Sequence, residues 1–168
     1  MIPIQTDLSA IAETAVDNEA ENDSFREFLK GQDGDSIDKI VHELNENISA
    51  KIDCTQCGNC CKSLMINITG EEINGLAAHL QTTPVDVKQK YVEESPGGKM
   101  IINTIPCHFL DKTVCTIYEH RFTECREFPH LHRPGFVNRL FGTLMYYSMC
   151  PIIFNVVEAL KMETGFKK

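Results

Sequence analysis

The sequence predicts an α+β chain: a mainly helical single domain with a small antiparallel hairpin or sheet and a cysteine-rich core. Three observations carry this. Apolar residues recur at helical spacing through most of the first 50 residues and again near the C-terminus. The middle of the chain holds short β-prone runs punctuated by Gly, Pro and Asp. All eight cysteines fall at or after residue 54 of a 168-residue chain, which is long enough to bury a core without cross-links.

Taken in order, residues 6–30 read as helix, with Leu8, Ile11, Ala12, Ala15 and Val16 at helical spacing. Ser24 and Glu27 suggest a second start as a capping box, and Gly31 a stop. Residues 32–36 are a loop rich in Asp and Gly. The spacing of Asp33, Asp35 and Asp38 fails a calcium-loop pattern, so a solvated turn is expected. Ile37, Ile40, Val41, Leu44 and Ile48 mark an amphipathic helix. After the first cysteines, residues 64–68 suit a strand. Thr69 with Glu72 opens a helix carrying Ile73, Leu76, Ala77 and Leu80. Thr83-Pro84 opens another, with Val85, Val87, Tyr91 and Val92 inside it. Residues 95–98 form a turn, and residues 99–105 a strand. Asp111-Lys112 is the turn of a hairpin that brings Cys107 near Cys115. Residues 119–135 are irregular, and 136–149 are apolar without a clear period. Pro151 begins a last helix whose core face holds Ile152, Ile153, Val156, Val157 and Leu160.

Charge divides the chain. The net charge is −8, yet residues 1–47 hold twelve acidic against three basic side chains, and the rest is near neutral. We therefore expect an acidic helical segment over residues 1–50 and a cysteine-bearing domain over 51–168. With no basic stripe, nucleic acid is not an expected partner. No run approaches a membrane span, so no membrane is expected. The first residues lack a basic and apolar leader, which points to the cytoplasm, where thiols stay reduced. The acidic segment is a candidate surface for a protein partner.

The cysteines define the chemistry. Cys54, Cys57, Cys60 and Cys61 lie in one loop with the spacing C-x2-C-x2-C-C, and Cys107, Cys115, Cys125 and Cys150 follow. Thiolates bind zinc, or iron in iron–sulfur clusters. Two residues between cysteines curl the backbone so that two sulfurs converge, and Gly58 suits the positive φ such a turn needs. All eight cysteines are candidate metal ligands, and the expected cofactor is an iron–sulfur cluster or zinc. A disulfide framework is the rival reading, disfavoured by the adequate core and the crowding at Cys60-Cys61. Neighbouring side chains diverge on a strand or helix, so Cys60 and Cys61 are expected to feed two centres, or one of them to be a packing residue. One partition puts Cys54, Cys57, Cys60 and Cys150 on one centre and Cys61, Cys107, Cys115 and Cys125 on the other. A single four-thiolate centre plus structural cysteines is the alternative. Arg126, beside Cys125, is a candidate to offset thiolate charge. For the histidines an exposed or hydrogen-bonded ring is the simpler reading, least so at His130 and His132. No catalytic triad, phosphate loop or dinucleotide fingerprint is present in the sequence.

Four stretches together resemble a known family: residues 54–61, residues 106–110 (Pro-Cys-His-Phe-Leu), residues 115–121 (Cys-Thr-Ile-Tyr-Glu-His-Arg) and residues 125–129 (Cys-Arg-Glu-Phe-Pro). They resemble the YkgJ-type cysteine-cluster family, described as a zinc- or iron-chelating domain with a CxxCxxCC motif. The resemblance spans about residues 50–155. It implies chelation, and the thiols, with no other motif beside them, suggest a structural or electron-transfer role. One departure is Phe122, which follows Arg121 where the family has proline. A similar cluster in the larger flagellin lysine N-methylases implies, as an alternative, an iron–sulfur-dependent protein-modifying enzyme, and the acidic segment suggests a further one, a metal-delivery or interaction module. It carries no catalytic residue onto this chain.

Overall fold

A computed structural model describes residues 3–167; Met1 and Ile2, which enter the leader-peptide reading, and Lys168 lie outside the described residues. The helices are α1 (Leu8–Asp17), α2 (Glu19–Lys30), α3 (Gly34–Ser49), α4 (Cys54–Cys57), α5 (Gly70–His79), α6 (Pro84–Tyr91), α7 (Thr123–Glu127), α8 (Phe136–Leu144) and α9 (Pro151–Glu163). The strands are β1 (Asn67–Ile68), β2 (Val92–Glu94), β3 (Met100–Ile102), β4 (Leu110–Asp111) and β5 (Val114–Cys115). The architecture is α+β and mainly helical, as expected. It falls into two units, Met1–Asp53 with Pro129–Lys168, and Cys54–Phe128.

The first unit is all helical. α3 packs on α8 and α9, α2 on α8, and α1 on α2 and α9. Ile11, Phe25, Leu29, Val41, Leu140 and Val156 are fully buried within it. The acidic segment is thus a set of amphipathic helices with a buried apolar face. Asp7 starts α1 by accepting hydrogen bonds from the Ser9 and Ala10 amides at 2.8 and 3.1 Å. The expected single helix over 6–30 breaks at Asn18 rather than restarting at Ser24. Ser24 lies inside α2, where its hydroxyl donates to the Ala20 carbonyl at 2.9 Å, an alternative to capping open to any helical serine.

The Asp-rich stretch also differs from a solvated turn. Asp33 accepts from the Ser36 amide at 3.0 Å and starts α3 already at Gly34. Asp38, one turn on, is buried and accepts from the Gly135 and Phe136 amides at 2.6 and 2.8 Å. It caps α8, whose own N-cap residue, Gly135, has no side chain to do so. Residues 136–144 are therefore helical because a residue nearly a hundred positions earlier completes their first turn. Lys161 is buried between Glu21 and Glu158, at 3.0 and 2.7 Å.

The second unit holds the sheet. Strands run β1-β3-β2, all antiparallel, with Asn67 opposite Ile101 and Val92 opposite Ile102. Val92 therefore begins β2 instead of extending α6, and the expected strands shorten to two or three residues. Both predicted helix starts hold: Thr69–Glu72 and Thr83–Asp86 form reciprocal capping boxes, with Pro84 in the first turn of α6. The second hairpin pairs Leu110 with Cys115 and Asp111 with Val114. Its turn is Lys112-Thr113, one residue later than expected, with Lys112 left-handed at φ 57°. Residues 119–135, expected to be irregular, contain α7 and part of a 3-10 turn, Tyr118–His120. Ile68, Ile73, Leu76, Val87, Ile102 and Phe122 form the centre of this unit's core. Among the described residues no helix is long and apolar enough to cross a membrane.

Candidate metal centre

Seven of the eight cysteines belong to the second unit, and its fold gathers them from four chain segments. Cys54 and Cys57 stand at the two ends of α4, one turn apart and so on the same side of it. The turn closes through the Gly58 amide, which donates to the Cys54 carbonyl at 3.1 Å. Gly58 itself is left-handed, at φ 60°, as the spacing predicted. A Cβ there would lie 2.7 Å from both the Cα and the carbonyl oxygen of Thr113. The loop therefore rests directly on the turn of the second hairpin, and α4 packs against β5, the strand that carries Cys115.

Cys60 and Cys61 follow on a 3-10 turn, Cys60–Lys62. Their side chains do not diverge as expected for neighbours on a helix or strand. The two thiols stand within hydrogen-bond reach of each other. That contact, against the opposing effect of burial, holds Cys60 down to about 7, helped by the Arg121 guanidinium. The Cys61 thiol is pushed up by the same contact, by burial, and by the charges that Cys60, Cys107 and Cys115 would carry.

The Cys107 amide donates to the Cys61 carbonyl at 2.8 Å, tying the second segment to the first. Cys107, Cys115 and Cys125 all pack against the apolar core. Burial is accordingly the main cause that raises Cys107, with Cys115 and Cys60 adding to it. Burial likewise pushes Cys125 up to about 12, reinforced by Cys107, Cys60, Cys115 and Glu124. The thiols at 60 and 115 thus each lie within electrostatic reach of those at 61, 107 and 125. Partly buried thiols that repel one another's negative charge are stabilised as thiolates by a cation. The donor set therefore fits zinc or iron in kind. It is not a closed coordination shell: among the described residues no three Cys, His, Asp or Glu side chains stand together at ligand spacing.

The remaining candidates sit elsewhere. Cys150 belongs to the first unit, where it is 8% exposed and forms the N-cap of α9. His130 and His132 are also in that unit. Arg126 is exposed and lines a cleft with Glu71, Glu72 and Glu124. A cation that acts on Cys60 is Arg121, half-buried, with its guanidinium 3.8 Å from the centre of the Tyr118 ring and donating to the Tyr118 carbonyl at 3.1 Å. The sequence showed Arg121 only as the end of the family-like stretch 115–121, because its tie to Cys60 crosses 60 residues. The histidines of this unit have other partners: His108 bonds Asn103 at 2.6 Å, and His79 stacks on His120 at 4.0 Å.

A family model, CxxCxxCC, described as a putative zinc- or iron-chelating domain, matches residues 53–151, more than half of the chain. No curated protein matches the chain, and no solved structure does.

Proposed function

The chain belongs to the CxxCxxCC family, and we propose on that footing that its second unit is a thiolate chelating centre. It takes zinc, or iron held with sulfide as an iron–sulfur cluster. The ligands come from Cys54, Cys57, Cys60, Cys61, Cys107, Cys115 and Cys125. What supports this reading is the mutual influence of Cys60, Cys61, Cys107, Cys115 and Cys125, brought together from four separate segments, with the last three packed on an apolar core. An apolar protein side offers such thiols no benefit unless a cation takes up the charge. A bound metal would tie these segments together, so its first role is structural, with electron transfer added where the metal is an iron–sulfur cluster.

Purification under anaerobic, reducing conditions, followed by metal and sulfide analysis, tests this. Zinc, or iron with sulfide and a brown colour, is expected in stoichiometric amount. Cys60→Ser and Cys107→Ser should each lose most of it. Absence of zinc, iron and sulfide from the reduced wild-type protein sinks the proposal. Cys150→Ser sorts the last cysteine: retained metal leaves it as a packing residue of its own unit, and lost metal adds it to the ligands.

A further inference from the structure

We infer that Glu72 and Glu124 are positioning residues for Cys125, holding its thiol toward the centre by tying α7 down at two successive residues. This rests on, and deepens, the chelating role proposed for the second unit.

α7 has five residues, far too few to be stable as an isolated helix. Its N-cap residue, Phe122, makes no side-chain capping bond and is instead buried at 3% exposure. The missing cap comes from α5. Glu72 Oε1 accepts from the Thr123 amide at 2.7 Å, while its Oε2 accepts from the Thr69 amide at 2.8 Å. One carboxylate thus caps two helices, its own and the one that carries Cys125. Glu124, in turn, reaches β1. Its Oε2 accepts from the Asn67 amide and its Oε1 from Asn67 Nδ2, both at 2.8 Å. Successive side chains on a helix are about 100° apart, so anchoring positions 123 and 124 sets the direction of 125. Cys125 then meets the core and the field of Cys107, Cys60 and Cys115. Glu72 acts through the placement of α7, and Glu124 acts both through that placement and through its own charge beside Cys125.

The chemistry selects the variants. In Glu72→Gln an amide NH2 faces one of two backbone donors, so one of them loses its acceptor. A glutamine at 124 is accommodated by a flip of the Asn67 amide, so Glu124→Ala is the informative change there. Asp86→Asn is the control, because it disturbs the matching capping box of α6, where Asp86 bonds Thr83.

The test uses the full chain, reduced and stripped of metal. A brief iodoacetamide pulse with peptide mass spectrometry reads each thiol, and Zn2+ titration against a competing chelator reads affinity. Glu72→Gln and Glu124→Ala should raise Cys125 alkylation several-fold relative to Cys60 and Cys150, and Asp86→Asn should not. Zn2+ affinity should fall by about tenfold or more in both glutamate variants. Unchanged labelling at Cys125, or a rise shared equally by every thiol, overturns the inference. If Glu72→Gln does not fold, Glu124→Ala carries the test against Glu124→Gln, which removes the charge and keeps the bonds to Asn67; equal Cys125 labelling in those two variants overturns the inference. A wild-type protein that binds no Zn2+ and no iron, with Cys125 still selectively uncovered in the variants, fails the chelation proposal and leaves the clamp standing.

Discussion

At the residue scale, Gly58 joins conformation to contact. Its φ of 60° suits glycine, and the space where a Cβ would stand is filled by the backbone of Thr113. Backbone atoms cannot rotate aside as a long side chain can. Gly58→Ala should therefore cost about 2–4 kcal/mol, adding the strain of a left-handed alanine to a displaced hairpin turn. Urea unfolding of the reduced protein would measure this, and a loss under about 1 kcal/mol would show that the loop can lift off the turn. The positive φ was legible in the spacing, since two thiols three residues apart need a tight local turn. The contact with Thr113 was not, because it joins residues 55 positions apart. The same division holds for the thiols. Each cysteine was identifiable as a ligand type from its neighbours. The approach of the Cys60 and Cys61 thiols was not, because helix and strand alike set neighbouring side chains apart and their meeting depends on side-chain torsions that spacing does not show.

At the element scale, the short helices exist because distant acids finish their ends. Thr69–Glu72 and Thr83–Asp86 were legible as helix starts because a capping box is local. α7 and α8 were not, because their caps, Glu72 and Asp38, come from other helices. This gives the second unit a defined acid sensitivity. Burial works to raise the Glu72 pKa, but the Thr123 and Thr69 donors outweigh it and hold the carboxyl below its ordinary value. A depressed carboxylate contributes stability that is fully present above the ordinary carboxylate range and is lost as pH falls through the depressed folded value. Glu71, Glu124 and Arg126 line the same cleft, so they share its field and belong in the comparison. Wild type should lose stability between roughly pH 5 and pH 3 more steeply than Glu72→Gln, the gap between them narrowing as the pH drops. Urea midpoints across that range check this, and parallel curves would mean that Glu72 has the same pKa in both states.

At the scale of the whole molecule, the two units differ in what they have to bury. The all-helical unit closes on a large apolar core, and its internal charge, Lys161, is matched by Glu21 and Glu158. The unit of residues 54–128 is built from strands of two or three residues and helices of ten residues or fewer, and it faces part of its core with thiols. A ligand that binds only the folded form adds RT ln(1 + [L]/Kd) to its stability, about 2.7 kcal/mol at a hundredfold excess over Kd. The need for that addition is greater where the core is small, and a metal holding residues 60–61, 107, 115 and 125 would act on every segment that lacks a long element of its own. Zn2+ added to the reduced, metal-free chain should therefore slow amide hydrogen exchange across β1, β3, β4, β5 and α7, while amides of α3 and α9 keep their rates. A chelator should reverse the change. Equal protection in α3 and α9 would instead mean that the metal acts on both units together, and no protection at β5 or α7 would remove the structural role proposed for the centre.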